Sequence, residues 1–508
     1  MHAIAKPLTP KQLAQIHAQI ITSLKPDFLN SLLRTLTLST NPQEALTLYT
    51  LTLHNPTFHD HFTHVHALKA CSLIHAFPSG HQIHAYIIKS GYHSNIFVQN
   101  SLIRLYADAG DVVAARRALM DVSRPDVVSW TSLISGFSRS GCEEEAVLAF
   151  GAMTVKPNAM TLVSVLSACS HLRALRWGRA VHGHSLRNLS SMNIFVANAI
   201  LDMYMKCGSL VSAWKLFGTM GERDVVSWTT VVSGYAQHRC CEEAIRVFHM
   251  MIQGGGVEPN EATLVSVLSA CSSLGAIGIG RWVHAYMNES QVRPDGHLGN
   301  ALLSMYAKCG DMGMAFEVFR GLICKDLVSW SSIIGGMALN GHGMHALQLF
   351  AHMLCHGIHP DDVTFIGLLS ACSHGGLVDQ GLQFFRAMTD VYSIVPRMEH
   401  YSCMVDIYGR AGLLEEAEAF IREMPIEADG EIWGSLLSSC EIHGNEEIGE
   451  RTRRHLLDTR CAAGGGTYAL LSNAYARIEK WKDANDVRET MRGMGIRKTP
   501  GLSWIDVD

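Results

Sequence analysis

Apolar residues recur along this chain in short bursts at helical spacing, and many bursts close on a glycine. In residues 194–224 the first burst is Phe195, Ala199, Ile200, Met203 and Tyr204, one stripe of a helix. Gly208 follows where a left-handed C-cap would end that helix. A second series, Ala213, Leu216 and Phe217, precedes Arg223-Asp224. No period-two alternation competes with this pattern. Neither helix of such a pair can bury its apolar face alone, whereas stacked neighbours can. The pattern predicts an all-α chain: a right-handed α-solenoid of helix-turn-helix repeats with a concave surface.

The bursts repeat. Asp-Val/Leu-Val-Ser-Trp ends at Trp130, Trp228 and Trp330, spaced by 98 and 102 residues. Leu-Ser-Ala-Cys ends at Cys169, Cys271 and Cys372, with a variant ending at Cys71. Met-Tyr-x-Lys-Cys-Gly covers 203–208 and 305–310, with degenerate copies at 105–110 and 407–412. Three strings rotate in fixed order, so the long period is a triplet of shorter units of about 35, 35 and 31 residues. Twelve units are expected over 26–429, the one at 127–158 being short. Two degenerate units follow in 430–508. Residues 1–25 read as a short presequence, a partial repeat, or both.

Composition narrows the function. Apolar residues are 48% and charged residues 17% of the 508, which excludes a disordered chain. The formal net charge of −5 argues against a nonspecific coat on nucleic acid, though not against a local groove. No apolar run approaches the roughly 18 residues of a membrane helix, and the start lacks a secretory pattern. The fourteen cysteines form no Cys-x-x-Cys pair and suit a reducing compartment.

The rotating 35/35/31 units resemble the plant pentatricopeptide repeat (PPR) proteins of the PLS subfamily. The motifs that carry the resemblance are NAILDMYMKCGSL (198–210), NALLSMYAKCGDM (300–312), VVSWTTVVSGYAQ (225–237) and HYSCMVDIYGRAGLLEEA (400–417). The stretch 468–507 is similar to the family's E motifs, and the sequence ends there. The zinc deaminase domain that many relatives carry beyond this point is expected to be absent. The tetratricopeptide alternative, a protein-interaction scaffold, predicts no register of polar residues.

The resemblance implies RNA recognition at one base per repeat, read by the fifth residue of a repeat and by its last. Aliphatic second residues of adjacent repeats would sandwich the base. The expected pairs are Asn30 with Asp60, Asn100 with Asp126, Thr131 with Asn158, Asn198 with Asp224, Thr229 with Asn260, Asn300 with Asp326, Ser331 with Asp361 and Ser402 with Asp429. The middle unit of each triplet has Val65, Val163, Val265 or Ile366 at the fifth place and should specify its base weakly. By the family rule the order reads U-n-U-A-n-U-A-n-U-G-n-G. Against this stands helix capping, the usual task of a lone Asn or Asp beside a helix.

The implied role is site recognition in cytidine-to-uridine editing of organellar transcripts, with a deaminase-bearing PPR protein and multiple organellar RNA editing factors as partners. Stabilisation, splicing or translation of a transcript is the alternative. The resemblance favours a mitochondrion over a chloroplast. Lys6, Lys11 and Lys25, with no acid before residue 26, fit a transit peptide. Removing 430–508 is expected to spare RNA affinity and abolish editing.

Other chemistry finds no support. No His-x-Glu…Cys-x-x-Cys deaminase set, His-Glu-x-x-His, Walker A or Gly-x-Ser-x-Gly motif occurs. No enzyme activity, cofactor, metal site or membrane association is expected. His84, His182 and His284 recur at one place in the middle units, as do the four cysteines, so both sets read as scaffold. Trp130, Trp228 and Trp330 are expected in the core.

Overall fold

The computed structural model of the chain describes residues 26–38, 41–53, 59–188, 193–254, 256–458, 465–477 and 479–494. The presequence or partial repeat expected at 1–25 lies outside them. The described residues form twenty-eight α-helices, one short 3-10 turn (Tyr92–Ser94) and no strand. None of these helices is long and apolar enough to cross a membrane. The chain divides into two compact units, Met1–Tyr235 and Ala236–Asp508. Each is an α-solenoid of helix pairs, as the period predicted.

Local chemistry sets the helix ends. The helices Val127–Arg139 and Ala159–His171 open on capping boxes: Asp126 accepts from Ser129 N, Asn158 from Thr161 N, and each hydroxyl accepts in turn from the cap's own N–H. Gly110, Gly208, Gly310 and Gly412 have φ between 72° and 87°. There the chain reverses, and the following N–H reaches the tyrosine carbonyl five residues back, as in Ser209 N to Tyr204 O at 2.9 Å. A side chain at these φ values is strained, which is why glycine ends so many bursts.

Within a unit the first helices of successive pairs pack side by side. Gly136, on Val127–Arg139, lies so close to Ala107 that an added Cβ would stand 3.2 Å from its carbonyl carbon. Alanine is the better helix former by about 1 kcal/mol, yet here the Ala107 methyl, fixed on its own backbone, already fills the place. The recurrent cysteines Cys71, Cys169, Cys271 and Cys372 are fully buried, and burial pushes their thiols up to about 11 or 12. They are apolar core residues in practice. Trp130 and Trp330 are buried, and Trp228 is half-buried edge-on against Phe217. His84, His182 and His284 each bond the hydroxyl of a tyrosine twenty-two residues on, Tyr106, Tyr204 and Tyr306, at 2.6–3.0 Å. That tie joins the second helix of one pair to the first helix of the next, and it is the scaffold role expected of them.

Two further histidines are unusual. His59 and His64 are buried together around Tyr49, with His64 Nδ1 3.0 Å from the Tyr49 hydroxyl and His59 Nε2 2.9 Å from Thr52 Oγ1. Their other ring nitrogens have no partner. Desolvation lowers both from 6.5 to about 4, with Asp60 opposing weakly. A base held neutral in this way stabilises the fold above its unfolded value, and that stability is lost as pH falls below 6.5 toward 4. Each imidazole is expected to cost about 1 kcal/mol by pH 5.5. Urea unfolding followed at pH 7.5 and 5.5 checks this, with a His59→Phe/His64→Phe variant expected to reduce the difference; His66, His84, His182 and His284, also lowered by burial, keep the rest.

Candidate nucleic-acid interface

The expected site residues lie at two places in each repeat. The last residue is the N-cap of the next first helix: Asp60, Asp126, Asn158, Asn260, Asp326, Asp361 and Asp429 all accept from backbone N–H groups there. Asp224 accepts from Ser227 N at 2.9 Å in the same way. The fifth residue sits one turn into the preceding first helix. Sequence reasoning set capping against pairing, and the geometry combines them. Asn198 Nδ2 donates to Asp224 at 3.0 Å, Asn300 Nδ2 to Asp326 at 3.1 Å and Asn30 Nδ2 to Asp60 at 2.9 Å. Each carboxylate therefore accepts from the helix it caps and from the amide of the previous repeat.

Desolvation pushes Asp60, Asp126, Asp224 and Asp326 up, but the hydrogen bonds outweigh it and hold each carboxyl below its usual value of 3.8. Asn100 bonds Asp126 more loosely and keeps its own Oδ1 buried without a partner. The shorter pairs differ. Ser331 Oγ donates to Leu327 O at 2.8 Å and reaches Asp361 only at 3.4 Å. Thr131 Oγ1 donates to Val127 O and meets Thr161 Oγ1 at 2.6 Å, while Asn158 Oδ1 takes the Thr161 hydroxyl. Thr229 Oγ1 donates to Val225 O at 2.7 Å. Among the described residues Ser402 and Asp429 share no hydrogen bond, and neither do Thr131 and Asn158.

The fifth residues are largely covered: Asn100, Asn198 and Asn300 are only 7–9% exposed. The cap contacts and the neighbouring first helix cover all but an edge of each amide. The exposed groups are the second residues: Phe62, Phe97, Val128, Met160, Phe195, Val226, Val328 and Val363 are 45–69% exposed. Eight of the twelve units thus leave a large apolar side chain in water at the second place, in a row N-terminal to the fifth residues, whereas Asp27, Ala262, His297 and Glu399 stand there in the other four. Sequence reasoning assigned this place a role without naming its residues. Val65, Val163, Val265 and Ile366 are half-buried at the fifth place and offer no polar atom.

A third residue was missed. Thr63, Ser129, Thr161, Ser227, Thr263, Ser329 and Thr364, each third in its first helix, are fully buried. Each follows a repeat with a polar fifth residue. After the aliphatic fifth residues Val65, Val163 and Val265 the same place holds Val98, Val196 and Leu298. That alternation was legible in the sequence, but its meaning needed the contacts. Among the described residues no group of three or more His, Cys, Asp or Glu could hold a metal ion.

A layer of first helices that repeats the same places pair after pair is the architecture of a modular repeat protein. The chain belongs to the pentatricopeptide repeat family. The PPR repeat model matches 128–156, 195–225, 300–327, 363–391 and 399–427, the related PPR repeat family model matches 223–273 and 325–374, and an E motif matches 443–506. The chain is 38% identical over 479 residues to pentatricopeptide repeat-containing protein At4g38010 of Arabidopsis thaliana, covering 94% of this chain and 86% of that one. It is 36% identical to At2g22410, mitochondrial (92% and 74% covered), and 37% identical to At1g08070, chloroplastic (94% and 69%), both from the same plant. Its fold is similar to the crystal structure of PPR10 from maize, with a TM-score of 0.53 at 17% identity over 92% of this chain and 78% of that one. It is also similar to PPR10 in complex with an 18-nt psaJ RNA element, with a TM-score of 0.54 at 15% identity over 97% and 85%.

Proposed function

We propose that this chain is a sequence-specific single-stranded RNA-binding protein of an organelle, a mitochondrion in the first instance. We further propose that it is a site-recognition factor for cytidine-to-uridine editing that recruits its deaminase from a partner. The observation that carries RNA reading is the pairing of the fifth residue with the next N-cap beneath a row of exposed apolar second residues. A base lying over that row gains apolar contact on its faces, and its edge meets the polar atoms below. A single strand offers free base edges, which a duplex does not. The RNA-bound state of PPR10 and the mitochondrial and chloroplastic names of relatives support the same reading. The E motif supports the editing role.

Two measurements test it. The purified protein should bind an RNA carrying U-n-U-A-n-U-A-n-U-G-n-G at least about tenfold tighter than a scrambled RNA of equal composition, given about 1–3 kcal/mol per mismatched base. Organellar RNA from plants lacking the protein should lose one editing event a few nucleotides 3′ of that sequence. Equal binding of both RNAs would refute base reading, whereas binding without a lost event would leave stabilisation, splicing or translation as the role.

A further inference from the structure

We propose that the buried hydroxyl at the third place of each following first helix is a specificity-determining positioning residue, which orients the fifth residue of the repeat before it. The proposal rests on the base-reading function above. Ser227 Oγ lies 2.7 Å from Asn198 Oδ1 and 2.8 Å from Asp224 Oδ1. The same trio recurs with Ser329 at 2.9 Å from Asn300 and 2.7 Å from Asp326, and with Thr63 at 2.8 Å from Asn30 and 2.9 Å from Asp60. Each amide is therefore held at two points: Nδ2 by the carboxylate, Oδ1 by the hydroxyl. The two ends of an amide are nearly equal in size, so packing alone cannot orient it; its partners do. With both partners in place, one N–H of Nδ2 is committed to the carboxylate and the other is left in a fixed direction. Without the hydroxyl, the amide keeps a single hold and can turn about it.

Helix capping by itself does not account for these hydroxyls. The helix Ile96–Asp108 is capped by Asn95, which accepts from Phe97 N and Val98 N, and its third residue is Val98. The helix Ile194–Lys206 is capped by Asn193 with Val196 at the third place. Both follow an aliphatic fifth residue, Val65 and Val163. A first helix is thus capped without the hydroxyl, and the hydroxyl occurs where a polar fifth residue stands behind it. The exception is Ser402, followed by Ile432; among the described residues Ser402 and Asp429 share no hydrogen bond. The Asn100 trio shows the limit of one proton: Ser129 donates to Asp126 at 2.9 Å, and Asn100 Oδ1 goes without. In the threonine pairs the hydroxyl meets another hydroxyl, Thr161 on Thr131 at 2.6 Å and Thr364 on Ser331 at 2.9 Å.

The test is base discrimination by Ser227→Ala, with Ser227→Thr as the conservative variant. Affinity is measured on four RNAs that differ only at the base assigned to Asn198. The parent and Ser227→Thr should prefer uracil by about tenfold, and Ser227→Ala should retain about twofold to threefold, with thermal unfolding reported beside it. A merely structural role would weaken binding to all four RNAs alike and leave their ratio unchanged, and that result would overturn the proposal. Should Ser227→Ala fail to fold, Ser329→Ala at the Asn300 base gives the same comparison. A parent that ranks all four bases equally would refute base reading itself, and with it this inference.

Discussion

Exchanging Asn198→Thr together with Asp224→Asn is expected to turn the preference at one base from uracil to adenine. Both new residue types already occur at these places in the chain, as Thr131 and Asn158, and the local structure accepts them there. Thr131 satisfies its hydroxyl on Val127 O, and a threonine at position 198 has Ile194 O in the equivalent place. Asn and Asp are nearly equal as N-caps, so an asparagine at position 224 should still hold Ser227 N. What changes is the set of groups at the base edge: an amide donor backed by a carboxylate becomes a hydroxyl backed by an amide. With about 1–3 kcal/mol per mismatched base, the ratio of affinities for two RNAs differing only there should move by roughly tenfold or more. Competition binding with the two RNAs measures it. Identical ranking by parent and variant would mean that Asn198 and Asp224 serve as a cap alone.

Trp433→Ala is expected to cost the C-terminal helices about 3–5 kcal/mol, because it empties an aromatic site in a closed core. Trp433 is buried and packs on His455 with ring centroids 4.2 Å apart. Its core joins Tyr401, Val405, Leu414 and Ile421, which precede residue 430, to Leu436, Leu437, Ile448 and Leu471, which follow it. Ion pairs cross the same point: Glu418, buried, holds Arg451 at 2.8 Å. This changes the outcome expected from sequence for removal of 430–508. The cut strips the apolar cover from the helices Met398–Arg410 and Leu414–Glu423, so RNA affinity should fall as well. Hydrogen exchange over 398–423 reads the loosening of these helices, and gel-shift titration reads the affinity. Protection equal to the parent's in the truncated chain would show that this core closes without the tail.

Much of the fold was legible in the residues because its determinants are local. Helix spacing, Gly208 and its counterparts at the C-caps, and Asp or Asn before each first helix act within a few residues of one another. The triplet register followed from counting, and so did the row of polar fifth residues alternating with Val65, Val163, Val265 and Ile366. The scaffold histidines were recognisable by recurrence alone, and the tyrosines they bond were not.

The tertiary structure decided what those polar residues do. Asn198 meets Asp224 across 26 positions and Ser227 across 29, and a bond over such a separation depends on how one helix is turned against the next. The sequence determined which residue types stand at the fifth, last and third places. Packing determined that Asn100, Asn198 and Asn300 are buried, that the apolar second residues are left in water, and that one hydroxyl proton is shared between an amide oxygen and a carboxylate. It also carried one core across residue 429, where the weakening of the repeat pattern had suggested a boundary. The physical reason is the same in each case: a repeat motif fixes local conformation, whereas the partner of a buried polar or apolar group is chosen by the neighbouring helix that covers it.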